Sequence, residues 1–161
     1  LMDDLAFSLD VDAVMGGWPR LRMPNVKEAG RLARHLVRLA TLPKPRDPDI
    51  YNCFRTDSER TDLVTPADNI DLPTRVVLGT RPEICAHIGV REIFRILRRY
   101  GTVNTNRLHI GVAGALLGLN VNFYDNNYGK NAAVYEFSMR DRFPNVVWKG
   151  RPEGVLEDTA A

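Results

Sequence analysis

Residues 102–124 read TVNTNRLHIGVAGALLGLNVNFY, and this stretch decides the fold. The short segment Thr102 to Thr105 predicts a strand. Asn106 then breaks the run, and Arg107 to Leu117 repeats small and apolar residues at helical spacing, up to a stop at Gly118. Val121 to Tyr124 predicts a second strand. Strand, apolar helix and strand in so few residues make a parallel crossover unit, buried on its helical side. Gly111 and Gly114 lie inside the helix. With Gly118 they read as close-packing positions rather than as a dinucleotide loop, whose glycines precede the helix.

The same pattern extends outward. Ile50 to Phe54 and Arg75 to Leu78 predict strands, and Pro144 to Trp148 predicts a last short one. Lys27 to Leu39 carries Ala29, Leu32, Ala33, Leu36 and Val37 at helical spacing, with Asn25 and Glu28 as a capping pair. A helix is expected near Glu83 to Ile88, led by the capping-box spacing Thr80 to Glu83. Another runs from Val90 to Tyr100, closed by Gly101, and a further one from Asn131 to Met139. Leu1 to Leu9 reads as a short strand, and Val11 to Val26, rich in glycine and proline, as a loop. Alternation of this kind predicts an α/β fold: a Rossmann-like parallel sheet with helices on both faces. One domain over residues 1–150 and a frayed tail over 151–161 are expected, and the opening residues suggest a piece of a longer protein.

Composition narrows the function. With 161 residues, 44% of them hydrophobic, the chain is an ordinary globular one. Its 22 basic and 20 acidic residues nearly balance, which argues against a broad nucleic-acid surface. Arg91, Arg95, Arg98 and Arg99 read as a solvated helix face. No run reaches the roughly 18 apolar residues of a membrane span. No export signal is evident, and a cytoplasmic place is expected. Cys53 and Cys85 read as buried free thiols, and the scattered His35, His87 and His109 predict no metal site.

Three polar clusters directly follow predicted strands: Arg55 to Glu59, Thr105 to His109, and Asp125 to Lys130. In open parallel sheets the ligand crevice lies beyond the carboxyl ends of the strands. One rule therefore gathers Arg55, Arg107, His109, Asn126, Tyr128 and Lys130 on a single rim. Arginine grips carboxylate or phosphate with a planar fork, lysine acts as a point charge, and a helix start adds unpaired N–H groups. The cluster suits a small anion with two charged ends. Asp57 and Asp125 are the protein carboxylates that could instead pair with these cations.

The segments Phe54-Arg55-Thr56-Asp57-Ser58-Glu59, Thr105-Asn106-Arg107-Leu108-His109 and Tyr124-Asp125-Asn126-Asn127-Tyr128-Gly129-Lys130-Asn131 together resemble the polysaccharide pyruvyl transferase family. The resemblance spans roughly Tyr51 to Ser138. One departure is Asn106, where the family usually has an aspartate; a cap survives, a charge does not. The resemblance implies the second half of a two-domain, B-type glycosyltransferase-like enzyme whose other half precedes it. It implies transfer of the enolpyruvyl group of phosphoenolpyruvate, as donor substrate and without a cofactor, onto a sugar or glycan acceptor to form a pyruvate ketal. Arg107 and His109 would be the catalytic pair, with Arg55, Asn106, Asn126, Tyr128 and Lys130 binding substrate. Two other readings share the fold. One is a nucleotide-sugar glycosyltransferase half, for which Glu83 is the only ribose-binding carboxylate on offer. The other is a non-catalytic glycan-binding domain.

Overall fold

The computed structural model describes residues 5–17, 26–58, 65–76 and 83–151, with backbone alone at 5, 6, 28, 31, 32, 36 and 83. Four strands, β1 (Ile50–Cys53), β2 (Thr102–Thr105), β3 (Asn120–Tyr124) and β4 (Val146–Gly150), form one sheet in the order β1-β2-β3-β4. All three pairings are parallel, with Val103 beside Tyr51 and Val121. The chain is α/β, as the alternating pattern predicts. Among the helices are α1 (Val11–Gly16), α2 (Val26–Ala40), α3 (Leu72–Val76), α4 (Glu83–Leu97) and α5 (Leu108–Leu116). The last, α6 (Lys130–Val134), continues as a wider π turn over Tyr135–Met139.

A sheet whose strands follow one another in sequence order steps the same way at each connection. Right-handed crossovers then place the connecting helices on one face. The packing agrees. Gly111 and Gly114 let α5 lie directly on the sheet: a Cβ at Gly114 would come within 2.8 Å of Val103 and 2.9 Å of Val121. One at Gly111 would meet the Phe123 ring at 2.8 Å. Tyr135 stacks on Trp148, which meets Phe123 edge-on. Gly118 has another role; its φ of 73° ends α5.

Helices on both faces are expected from the sequence; α5 lies on the face of Val103, Val121 and Phe123. The other face is polar. Asn52, Asn104 and Asn122 stand in register on neighbouring strands. Asn122 donates to Asn104 (2.7 Å), Asn104 to Asn52 (2.8 Å) and Asn52 to Asp68 (3.0 Å). The ladder uses the side-chain amides against each other, which removes the cost of leaving them unpaired on a half-buried surface.

Several local expectations give way to tertiary structure. Leu5–Ser8 is a 3-10 turn, not a strand, while residues 1–4 lie outside the described residues. Within the expected loop, Asp10 caps α1 by accepting the Ala13 N–H at 3.0 Å. Residues 18–25, including Asn25, lie outside the described residues. Arg75 and Val76 end helix α3 rather than start a strand, and residues 77–82, with Thr80, are likewise outside. The two expected helices around Gly89 are one, α4; Gly89 is buried in mid-helix, where a Cβ would sit 3.4 Å from the Val76 carbonyl. Gly101 is no C-cap. Its N–H donates to Asp49, and a Cβ there would strike the Asp49 carboxylate at 2.5 Å. In α2, Ala29, Ala33 and Val37 are exposed and His35 is buried, while the side chains of Leu32 and Leu36 lie outside what is described.

Cys53 and Cys85 are both fully buried free thiols. Burial pushes the Cys53 thiol up to about 12.

Two outcomes follow from this packing. Gly114→Val destabilises the fold by about 2 kcal/mol, because the valine methyls of two strands already fill the space. Gly30→Ala, exposed in α2 with nothing within 4 Å of its Cβ, stabilises it by about 0.5–1 kcal/mol. Urea midpoints of the two variants test both signs. His35 gives a third outcome. Burial is the main cause holding its pKa below 6.5, Glu92 opposes and Arg38 adds to the shift. The unfolded chain then binds the extra proton more readily, so stability contributed by neutral His35 is present above pH 6.5 and lost as pH falls below it. His35→Leu should flatten the fall of the urea midpoint between pH 7 and pH 5.

Candidate functional site

Because β1, β2 and β3 are parallel neighbours, the loops leaving their carboxyl ends share one rim. Its centre is Asp71, just before α3. This carboxylate is only 3% exposed. Arg107 grips it side-on, Nε to Oδ1 and Nη2 to Oδ2, both at 2.5 Å. The Thr56 N–H and hydroxyl donate to the same Oδ2 at 3.0 and 2.9 Å. Burial alone would lower the Arg107 pKa, but the bonds and charge of Asp71, then of Asp57, outweigh it and raise the pKa, so the guanidinium stays charged.

Arg107 Nη2 has a second proton, and it points to Asp57 Oδ2 at 3.0 Å. Arg55 holds the same carboxylate through Nε at 3.0 Å and Nη2 at 3.1 Å. Asp57 is therefore the point on which three N–H bonds from two arginines converge. Its side chain is 39% exposed, against 18% for Arg55 and 14% for Arg107. The two arginines read from sequence as one cluster are indeed brought together. Their charge is balanced by Asp57 and Asp71; Asp125, the other carboxylate considered, faces the main-chain N–H groups of Asn126 and Ala132 instead.

The remaining residues sort by burial. Asn106 is 2% exposed, and its Oδ1 accepts the Arg55 N–H at 2.8 Å. It does not cap α5: Arg107 occupies the cap position and donates its N–H to Thr105 Oγ1. Asn106 thus fixes the main chain of the arginine loop, with its side chain buried. Asn126 is equally buried and accepts the Lys130 N–H at 2.9 Å, so it shapes the start of α6. His109, Tyr128 and Lys130 are exposed. His109 is the exposed residue in the first turn of an otherwise buried α5, and Lys130 opens α6. Topology places all three on the rim.

Two further residues hold the site, and neither was read from sequence. Asp71 is one; an acid between the apolar Ile70 and Leu72 was the signal. Asn131 is the other. Buried at 1%, it donates to the Asn106 carbonyl (2.7 Å) and the Tyr124 carbonyl (2.9 Å), tying the second and third loops together. Gly129, at φ 76°, makes the turn that delivers it. Among the described residues no group of three metal-ligating side chains occurs. Thr56 to Glu59 has the spacing of a capping box; Glu59 lies outside the described residues, and Thr56 serves Asp71.

No family model matches the chain, and no curated protein matches it. Among solved structures it is similar to a functionally uncharacterised protein from Klebsiella pneumoniae subsp. pneumoniae NTUH-K2044, at 37% identity and a TM-score of 0.52. The match covers 65% of this chain and 38% of that one. This chain therefore spans well under half the length of that relative, which shares the fold and carries no assigned activity.

The two carboxylates should differ sharply in stability. Asp71→Ala leaves the Arg107 guanidinium without its buried partner and costs about 3–5 kcal/mol. Asp57→Ala, at the exposed pair, costs about 1 kcal/mol or less. Chemical denaturation of both variants measures the contrast.

Proposed function

We propose that the chain is one Rossmann-like half of a pyruvyl transferase that binds phosphoenolpyruvate and passes its enolpyruvyl group to a sugar. The observation that carries this reading is the convergence of three arginine N–H bonds on one point of the rim. Together with the motif segments read from the sequence, it supports an anion-holding role for Arg55 and Arg107. Arg107 spends Nε and one Nη2 proton on Asp71, and its second Nη2 proton, which meets Asp57, passes to a ligand that takes the place of that carboxylate.

In the proposed reaction His109, near neutral pH, gives a proton to the methylene carbon of the donor. The adjacent carbon becomes cationic, and a sugar hydroxyl adds to it. The phosphate leaves with the carbon–oxygen bond electrons, its charge held by Arg55 and Arg107, with Lys130 nearby on the rim. A second hydroxyl closes the ketal; of the two hydroxyl protons released, one returns to His109 and the other leaves with the phosphate. Tyr128 is exposed for contact with the donor or the sugar, while Asn106 and Asn126 act through the backbone they position. The acceptor site belongs to the other half in this reading. A cytoplasmic place, where phosphoenolpyruvate is made, is part of the proposal; no helix among the described residues is long and apolar enough to cross a membrane.

Calorimetric titration of the chain with phosphoenolpyruvate, with uridine diphosphate and with an acidic oligosaccharide separates the readings. Phosphoenolpyruvate should bind best, and Arg55→Ala should weaken it at least tenfold, the cost of one or two charge-assisted bonds of about 1.5–3 kcal/mol each. In the longer protein, His109→Ala should abolish ketal formation while leaving donor binding in place. Diphosphate binding without phosphoenolpyruvate binding would favour a glycosyltransferase half. Glycan binding without either would leave a binding domain.

A further inference from the structure

We propose that Asp57 is a specificity-determining residue: its carboxylate fills the anion site and makes the arginine pair selective for a dianionic phosphate monoester over a monocarboxylate. This rests on reading Arg55 and Arg107 as anion holders.

The two acids of the cluster are not equivalent. Asp71 is buried and takes four hydrogen bonds, so its hold on Arg107 is part of the fold. Asp57 lies on the loop after β1, is 39% exposed, and occupies the converging N–H groups with both oxygens. An anion reaches those N–H groups by displacing it. A carboxylate offers what Asp57 already offers: one charge and two oxygens. It must also compete with a group tethered in place, whose effective concentration is in the millimolar range or above. Exchange of like for like therefore yields little binding. A phosphate monoester carries about 1.5–2 negative charges at neutral pH and three oxygens, enough to bridge both guanidinium groups where Asp57 supplies a single charge. Displacement then gains charge pairing, and the released Asp57 side chain moves into water, where solvation repays it.

The same exchange gives a pH signature. The phosphate loses its second proton with a pKa of about 6, so affinity should rise from pH 5.5 to 7.5 only for the phosphate ligand.

Phenyl phosphate and benzoate test this, since they share a ring and differ in the anion. Titrated into the chain, phenyl phosphate should bind at least tenfold more tightly than benzoate. Asp57→Asn should bind both more tightly, benzoate gaining most, so that the preference falls threefold or more; thermal unfolding confirms that the variant folds. An unchanged preference in Asp57→Asn, or weaker binding of both anions, overturns the proposal. If Arg55→Gln binds phenyl phosphate as well as the natural chain does, the anion reading beneath it has failed as well. If the phosphate preference and its loss are found while the longer protein forms no ketal, Asp57 keeps its role and only the donor assignment falls.

Discussion

The ion pair between Arg107 and Asp71 is what the rim depends on. A guanidinium at the end of β2 and a carboxylate before α3 are drawn out of water together, and neither could stay there alone. Asp71 also takes both donors of Thr56, so one buried carboxylate holds the loop after β1, the start of α3 and the start of α5 in a single arrangement. Such a pair contributes little net stability compared with apolar packing. Its value lies in orientation. With Nε and one Nη2 proton committed to Asp71, the second Nη2 proton points to Asp57, the carboxylate that Arg55 also holds.

Around that pair, asparagines do the work of spacing. Asn106 holds the main chain of Arg55, Asn131 holds the carbonyls of Asn106 and Tyr124, and Asn126 holds the start of α6. Each is buried, and each satisfies backbone groups that the loops leave unpaired. The side chains left exposed on the rim are His109, Tyr128 and Lys130.

The sheet itself is built asymmetrically. Valines and Phe123 on one face receive α5 through two glycines, and a row of asparagines crosses the other. That row was present in the sequence as a repeated pattern, an asparagine after an apolar residue at Tyr51-Asn52, Val103-Asn104 and Val121-Asn122. It is a sign of a face that differs from the continuous hydrophobic run of a strand buried on both sides.

The sequence by itself determined the alternation of strand and helix, the burial of α5 with its glycines against the sheet, and the gathering of three polar loops on one rim. These depend on periodicity and on the rule that parallel strands end together, both readable from near neighbours. Tertiary structure decided the rest. Arg107 and Asp71 are 36 residues apart, and Arg55 and Asn106 are 51 apart. Which acid meets which arginine, and which asparagine is buried, are settled only when those segments pack, because the cost of burying a charge or an amide is set by the partner that arrives and not by its neighbours in the chain. For the same reason Arg75 reads as part of a strand in the sequence and lies in helix α3, which packs against α4.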